Sequence, residues 1–262
     1  MAASLQHALG YLEYLLGSKN KHSVHSPFLF QFIDQVINGS AAHPEFERIE
    51  KLRTEMLNST ATVKVHDLGA SLKEEYDKKL SVIVGNAAKK AKYAKLLYRI
   101  IQFYKPQVCI ELGTNVGVSS MYQALALSEE SYLHTIEGSQ SLAEIAQFNL
   151  EKLDLNEKVQ VHTANFDERL PKILSHTQRV DYIFIDGNHL EEATMKYFEQ
   201  ALKYSHNDTI LVFDDINWST GMQSAWMQIK DHPQVTATID LYFLGIVFLR
   251  TELSKEHFTI RF

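Results

Sequence analysis

Glu111-Leu112-Gly113-Thr114-Asn115-Val116-Gly117-Val118-Ser119 is the stretch on which the fold turns. Before it, Val108 to Leu112 is a short apolar run, suited to a strand buried on both faces. After it, Val118, Met121, Tyr122 and Leu125 recur at helical spacing. Gly113 lets the chain turn sharply and lets a ligand approach the backbone. Gly117 and Ser119 open the helix, whose unpaired N–H groups suit an anionic group. Alone, a two-glycine loop is equally the plain chemistry of a strand-to-helix turn.

Working outward, the alternation continues. Strands are expected at Tyr132–Ile136, Val159–His162, Val180–Ile185 and Thr209–Phe213. Leu142, Ile145, Ala146, Leu150 and Leu153 mark one helix, residues from Leu190 to Leu202 a second, and 220–231 a third. This order predicts an α/β fold with a doubly wound, mostly parallel sheet. Val235–Leu241 and Gly245–Leu249 leave no room for a helix between them, so they are expected to pair as an antiparallel hairpin and complete a seven-stranded sheet.

Upstream, residues 1–60 read as helical. Leu5, Leu9, Leu12 and Leu16 share a face, widened by Tyr11 and Leu15, and Gly17-Ser18-Lys19-Asn20 ends it. Ser26-Pro27 reads as an N-cap followed by proline at the first helical position, and Phe46 to Leu57 as a third helix. A further helix is expected over 87–104, packing Tyr93, Leu96, Leu97, Ile100 and Ile101 inward. The expected division is a helical extension over 1–80 and an α/β domain over 81–262. Val65-His66-Asp67-Leu68-Gly69-Ala70 resembles a strand end entering a glycine turn, but no second glycine follows.

Two acids sharpen the chemistry. Glu137 ends the second strand, 24 residues beyond Gly113; an acid there typically accepts hydrogen bonds from ribose hydroxyls. Glu111 lies just before the loop, where it would repel a dinucleotide's pyrophosphate. The loop also lacks Gly-x-Gly-x-x-Gly spacing. Both points favour S-adenosylmethionine over NAD, although an NAD-binding oxidoreductase remains an alternative.

Segment 107–250 resembles the class I S-adenosylmethionine-dependent methyltransferases, and among them the small-molecule O-methyltransferases of the catechol type. The resemblance rests on Glu111–Ser119, Thr135-Ile136-Glu137-Gly138, Thr163-Ala164-Asn165-Phe166, Phe184-Ile185-Asp186-Gly187-Asn188-His189 and Val212-Phe213-Asp214-Asp215-Ile216, in that order. It implies a Rossmann-like fold with a terminal antiparallel pair. It further implies that Glu111, Gly113, Thr114 and Ser119 surround the cofactor's methionine end, that Glu137 holds the ribose, that Gly138 lies beside the adenine with Asn165 and Phe166 bounding it, and that Asp186 faces the sulfonium side.

Asp186, Asp214 and Asp215 converge if the fourth and fifth strands are neighbours, and clustered carboxylates with water suit Mg²⁺ or Ca²⁺. Such a metal orients a hydroxyl and lowers its pKa. The resembling metal enzymes usually carry Asn where Asp215 stands, and an aspartate here equally suits a helix cap. His189 occupies the position of their lysine base and suits proton removal near neutral pH, or a cap of the helix after it. His22, His25 and Trp218 are candidates for the acceptor pocket, which the N-terminal helices of such enzymes often cover.

Bulk properties narrow the partners. The chain has 262 residues, 45% hydrophobic and 22% charged, with net charge -6. That balance argues against wholesale nucleic-acid binding and for a small-molecule acceptor. The lone Cys109 sits in an apolar run, no leader is visible, and no run is long enough to span a membrane, so the expected home is the cytoplasm. The apolar face of the first helix can pack within the chain or across a homodimer. Methyl transfer to a hydroxyl oxygen is the leading reading, with nitrogen or a protein side chain as the alternative acceptor.

Overall fold

The computed structural model describes residues 2–18, 24–66 and 75–262. In chain order its elements begin with α1 (Ala2–Gly17), α2 (Pro27–Phe32) running into a π-helical stretch (Ile33–Ile37), α3 (Glu45–Leu57), β1 (Thr62–Val65), β2 (Tyr76–Lys79), α4 (Leu80–Ala87) and α5 (Ala91–Tyr104). Then come β3 (Val108–Leu112), α6 (Val118–Ala126), β4 (Tyr132–Glu137), α7 (Gln140–Glu151), β5 (Val159–Thr163), α8 (Phe166–Thr177), β6 (Tyr182–Ile185), α9 (Glu191–Leu202), β7 (Ile210–Asp214), α10 (Thr220–Asp231), β8 (Ala237–Asp240), β9 (Leu244–Phe248) and β10 (Glu256–Thr259). The chain divides into two compact units, Met1–Asn38 with Arg179–Phe262, and Gly39–Gln178.

In the unit Gly39–Gln178, every residue of β3 is buried, as its unbroken apolar run requires. β4 runs parallel to β3, from Val108↔Tyr132 to Leu112↔Ile136, and β5 runs parallel to β4. β1 and β2 pair antiparallel. The expected strand end at Val65 is thus present, whereas Asp67–Ala70 of the suspected glycine turn lie outside the described residues. The expected helix over 87–104 is α5, which starts four residues later, after α4 has ended at Ala87. The backbone is extended at Ala88 and Lys90, and α5 starts at Ala91. It buries Leu96, Leu97, Ile100 and Ile101, while Tyr93 is half-buried. α8 is an element beyond those expected from the sequence, and it holds Pro171 inside it. The signal was there: Asn165 caps the helix through its own side chain, and Glu168 stands three residues on.

In the unit Met1–Asn38 with Arg179–Phe262, β6 and β7 are parallel, β7 and β9 antiparallel, and β8 and β9 antiparallel. The terminal hairpin is as expected. β10 adds one strand, parallel to β8. The described strands of the α/β part therefore number eight, five in this unit and three in the other, not seven. Glu256-His257-Phe258-Thr259 is too short and polar to read as a strand by pattern.

Ser26 caps α2 through its hydroxyl, with Pro27 leading the helix, as its sequence predicts. The stripe of α1 is different. Leu9, Leu12 and Leu16 are 53%, 52% and 79% exposed, and among the described side chains of α1 the buried one is Tyr14. Its hydroxyl donates to the carbonyl of Ile260 at 2.7 Å and accepts from the amide of Phe262 at 2.9 Å.

Candidate active site

The β3–α6 loop belongs to the unit Gly39–Gln178. Gly113 and Gly117 adopt φ of 99° and 83°, and Asn115 adopts 52°, all left-handed. A Cβ on Gly117 would meet Ala146 at 3.2 Å, so both conformation and space require glycine there. The amides of Gly113 and Thr114 both donate to the Ile136 carbonyl, at 2.9 and 3.2 Å. Asn149 donates to the carbonyl of Val116 at 2.9 Å. The turn is therefore clamped from β4 and α7 before α6 begins.

Two carboxylates frame this loop in different ways. Glu137 is half-buried at the end of β4. One oxygen accepts from the amide of Asn115 at 2.8 Å and the other from the amide of Ser139 at 2.9 Å. It ties the loop tip to the start of α7. Glu111 is fully buried instead. It accepts from Gln123 at 2.6 Å, from Thr135 at 2.7 Å and from Ser120. Burial pushes its pKa up, and the hydroxyls of Ser120, Ser119 and Thr135 with the Gln123 amide pull it back. Ser119, Ser120, Gln123 and Thr135 thus surround the acid. Ser120, Gln123 and Thr135 were not legible as site residues, because the pairing Glu111↔Thr135 is a matter of strand register.

Gly138 is half-buried after Glu137, and Ser139 follows it, buried, with its hydroxyl accepting from the amide of His66 at 3.3 Å. Asn165 spends its side-chain oxygen on the amide of Asp167, at 2.8 Å, and Phe166 begins α8 half-buried.

The other expected residues lie in the second unit. Asp186 follows β6, and its Oδ1 is 3.9 Å from Nε2 of His189. Asn188 and His189 are successive left-handed residues, with φ of 69° and 41°. Asn188 donates to the hydroxyl of the buried Tyr197 at 3.1 Å, which anchors the turn to α9. Asp214 is buried at the end of β7, and Asp215 turns left-handed after it, with φ of 52°. Its carbonyl accepts from the amide of Trp218 at 2.8 Å. Among the described residues, no three His, Cys, Asp or Glu side chains are grouped to hold a metal ion. Asp186, Asp214 and Asp215 do not form the three-ligand cluster that their spacing suggested. Trp218 is 61% exposed and Trp226 is buried. His25 is exposed, and His22 lies outside the described residues.

Residues 110–216 match a protein-family model described as a methyltransferase domain. They span β3 to the residue pair after β7, the segment that carries every loop just described. Over those residues the chain is similar to a methyltransferase domain. Its curated relatives include a catechol O-methyltransferase of Niastella koreensis, 31% identical over 123 residues that cover 47% of this chain and 55% of that protein. The chain thus spans about half the length of that relative. Another is a catechol O-methyltransferase of Mycobacterium tuberculosis, 25% identical over 159 residues, covering 61% of this chain and 68% of that one. Among solved structures, an O-methyltransferase from Bacillus cereus in complex with SAH aligns with a TM-score of 0.58 at 20% identity, over 83% of this chain and 96% of its own. That likeness is one of fold: α/β, Rossmann-like and mostly parallel.

Proposed function

We propose that this protein transfers a methyl group from S-adenosylmethionine to a hydroxyl oxygen of a small-molecule acceptor. The observation that carries the reading is the left-handed, clamped Gly113–Gly117 loop with Glu137 fixed beside it. Loop and acids suit a nucleoside bearing an amino-acid group. The glycine turn permits close backbone approach, Glu137 offers a carboxylate to ribose hydroxyls, and no pyrophosphate has to sit against Glu111.

In this reading Glu111, Gly113, Thr114, Gly117 and Ser119 shape the methionine end, Glu137 holds the ribose, and Gly138, Asn165 and Phe166 border the adenine. When bound, S-adenosylmethionine supplies a methyl group on a sulfonium, open to in-line attack. The chain's part is alignment of the acceptor and removal of its proton. Asp186 faces Nε2 of His189, which leaves Nδ1 as the nitrogen that takes the hydroxyl proton. The proton of the acceptor hydroxyl would pass to His189 and be held beside the Asp186 carboxylate. The three aspartates do not assemble a metal group, so no step is routed through Mg²⁺ or Ca²⁺. Trp218 offers an exposed ring for an acceptor. The buried Cys109 suits a reducing cytoplasm, and the exposed leucines of α1 suit pairing across a homodimer.

Calorimetric titration of S-adenosylmethionine into the wild type and Glu137→Ala tests the cofactor half. The expected result is saturable binding to the wild type, weakened at least about tenfold in the variant. NAD binding in its place would sink the proposal. Turnover of a panel of catechols and other hydroxyl compounds tests the other half. A chelator is expected to leave the rate within about twofold, and His189→Asn to lower kcat by about 10²-fold or more. Rates abolished by chelation and restored by Mg²⁺ would return the aspartates to a metal role.

A further inference from the structure

We infer that Thr135, which the proposed function leaves without a role, is a positioning residue for cofactor binding, acting through Thr114. This rests on the S-adenosylmethionine reading above.

The argument is one of proton counting. Thr135 stands in β4 directly opposite Glu111 in β3. Its Oγ1 lies 2.7 Å from Glu111 Oε2 and 2.6 Å from Thr114 Oγ1, and all three residues are buried. A hydroxyl has one proton to give. Thr135 donates it to the carboxylate, so in the pair of threonines it must accept, and Thr114 must donate. The result is a directed chain from Thr114 to Thr135 to Glu111. It fixes the Thr114 side chain in one rotamer, and Thr114 sits between the left-handed residues Gly113 and Asn115. The other end of the chain is held by Gln123 and Ser120 of α6. The carboxylate therefore links the core of two strands and the first turns of α6 to the loop between them. Without the Thr135 hydroxyl, the Thr114 side chain loses its partner among the described residues and the loop is free to re-turn, so binding must supply the ordering that the fold now supplies. Glycine spacing alone would not reveal this, because Thr135 is 21 residues from Thr114.

The test compares two nucleosides by calorimetry, S-adenosylmethionine and 5′-methylthioadenosine, which lacks the aminoacyl end that the loop would meet. The variants are Thr135→Val, which keeps the shape and removes the hydroxyl, and Thr135→Ser, which restores it. Thr135→Val is expected to weaken S-adenosylmethionine by about tenfold and 5′-methylthioadenosine by less than about twofold, with Thr135→Ser close to the wild type for both. A merely structural role would lower the melting temperature and leave the ratio of the two affinities unchanged. An unchanged ratio in a Thr135→Val protein that still binds both overturns this inference alone. A wild type that binds neither nucleoside overturns the cofactor reading, and this inference with it.

Discussion

At the scale of single residues, the decisive feature is where buried polar groups find partners. Glu111 is tolerated in the core because hydroxyls and an amide replace its water. His162 shows the opposite sign. Its Nδ1 is 2.7 Å from the Arg169 guanidinium, which can only donate, so the ring accepts there. Its Nε2 then carries the hydrogen toward Nδ1 of His134 at 3.0 Å. Both histidines must stay neutral for this chain to hold. Burial, then the Arg169 charge, then His134 hold the pKa of His162 down at about 4. An unfolded imidazole titrates near about 6.5. Between those values the unfolded chain binds more protons, so this contribution to stability is complete above about pH 6.5 and is lost as the pH falls toward 4. Thermal melts from pH 7 to 4.5 are expected to show a falling midpoint, with a shallower slope in His162→Gln; equal slopes would refute the assignment. None of this is visible in the sequence, where His134 and His162 are simply two polar positions in apolar strands.

At the scale of elements, turns and caps carry the specification. Gly113 and Gly117 are legible as loop glycines, and the structure gives each a left-handed backbone. Gly245 is not legible. It lies inside β9, and a Cβ there would stand 2.6 Å from the ring of Trp226. That ring is pinned by its own N–H donating to Asp240 at 3.1 Å. The neighbour is a fixed aromatic side chain, so it cannot yield cheaply. Gly245→Ala is expected to cost about 2–3 kcal/mol in chemical denaturation, against under about 0.5 kcal/mol for an exposed change such as Thr220→Ala. In the helix after β5, the Asn165 cap and the buried Leu170, Ile173 and Leu174 hold the helix with Pro171 inside it.

At the scale of the whole molecule, Leu9, Leu12 and Leu16 do not fasten the N-terminal helix as their spacing suggests. Among the described side chains the fastening is Tyr14, which binds the backbone of Ile260 and Phe262, stacks with Tyr11 at 5.7 Å and meets the Tyr242 ring at a tilt at 5.4 Å. Burial raises the pKa of this hydroxyl to about 12, so it remains a donor through the working range. Tyr14→Phe is expected to cost about 1–2 kcal/mol, since the buried carbonyl of Ile260 and the half-buried amide of Phe262 lose their partner. Truncation before Ile260 should produce a similar loss, and Leu12→Ser should shift the midpoint by less than about 1 °C. A larger effect of Leu12→Ser would mean that the leucine face is covered in solution, and light scattering would report the dimer.

The sequence by itself determined the α/β alternation, the terminal hairpin, the glycine loop and the acids at the ends of β3 and β4. Each follows from local rules: period, chain length between runs, and the few residues that permit a left-handed turn. Only the tertiary structure decided that Glu111 faces Thr135, that Asp186, Asp214 and Asp215 do not group as ligands, and that Tyr14 rather than Leu9, Leu12 and Leu16 anchors α1. Those outcomes depend on strand register and on the direction in which each side chain leaves the backbone. Residues far apart in the chain set both, and neither composition nor spacing records them.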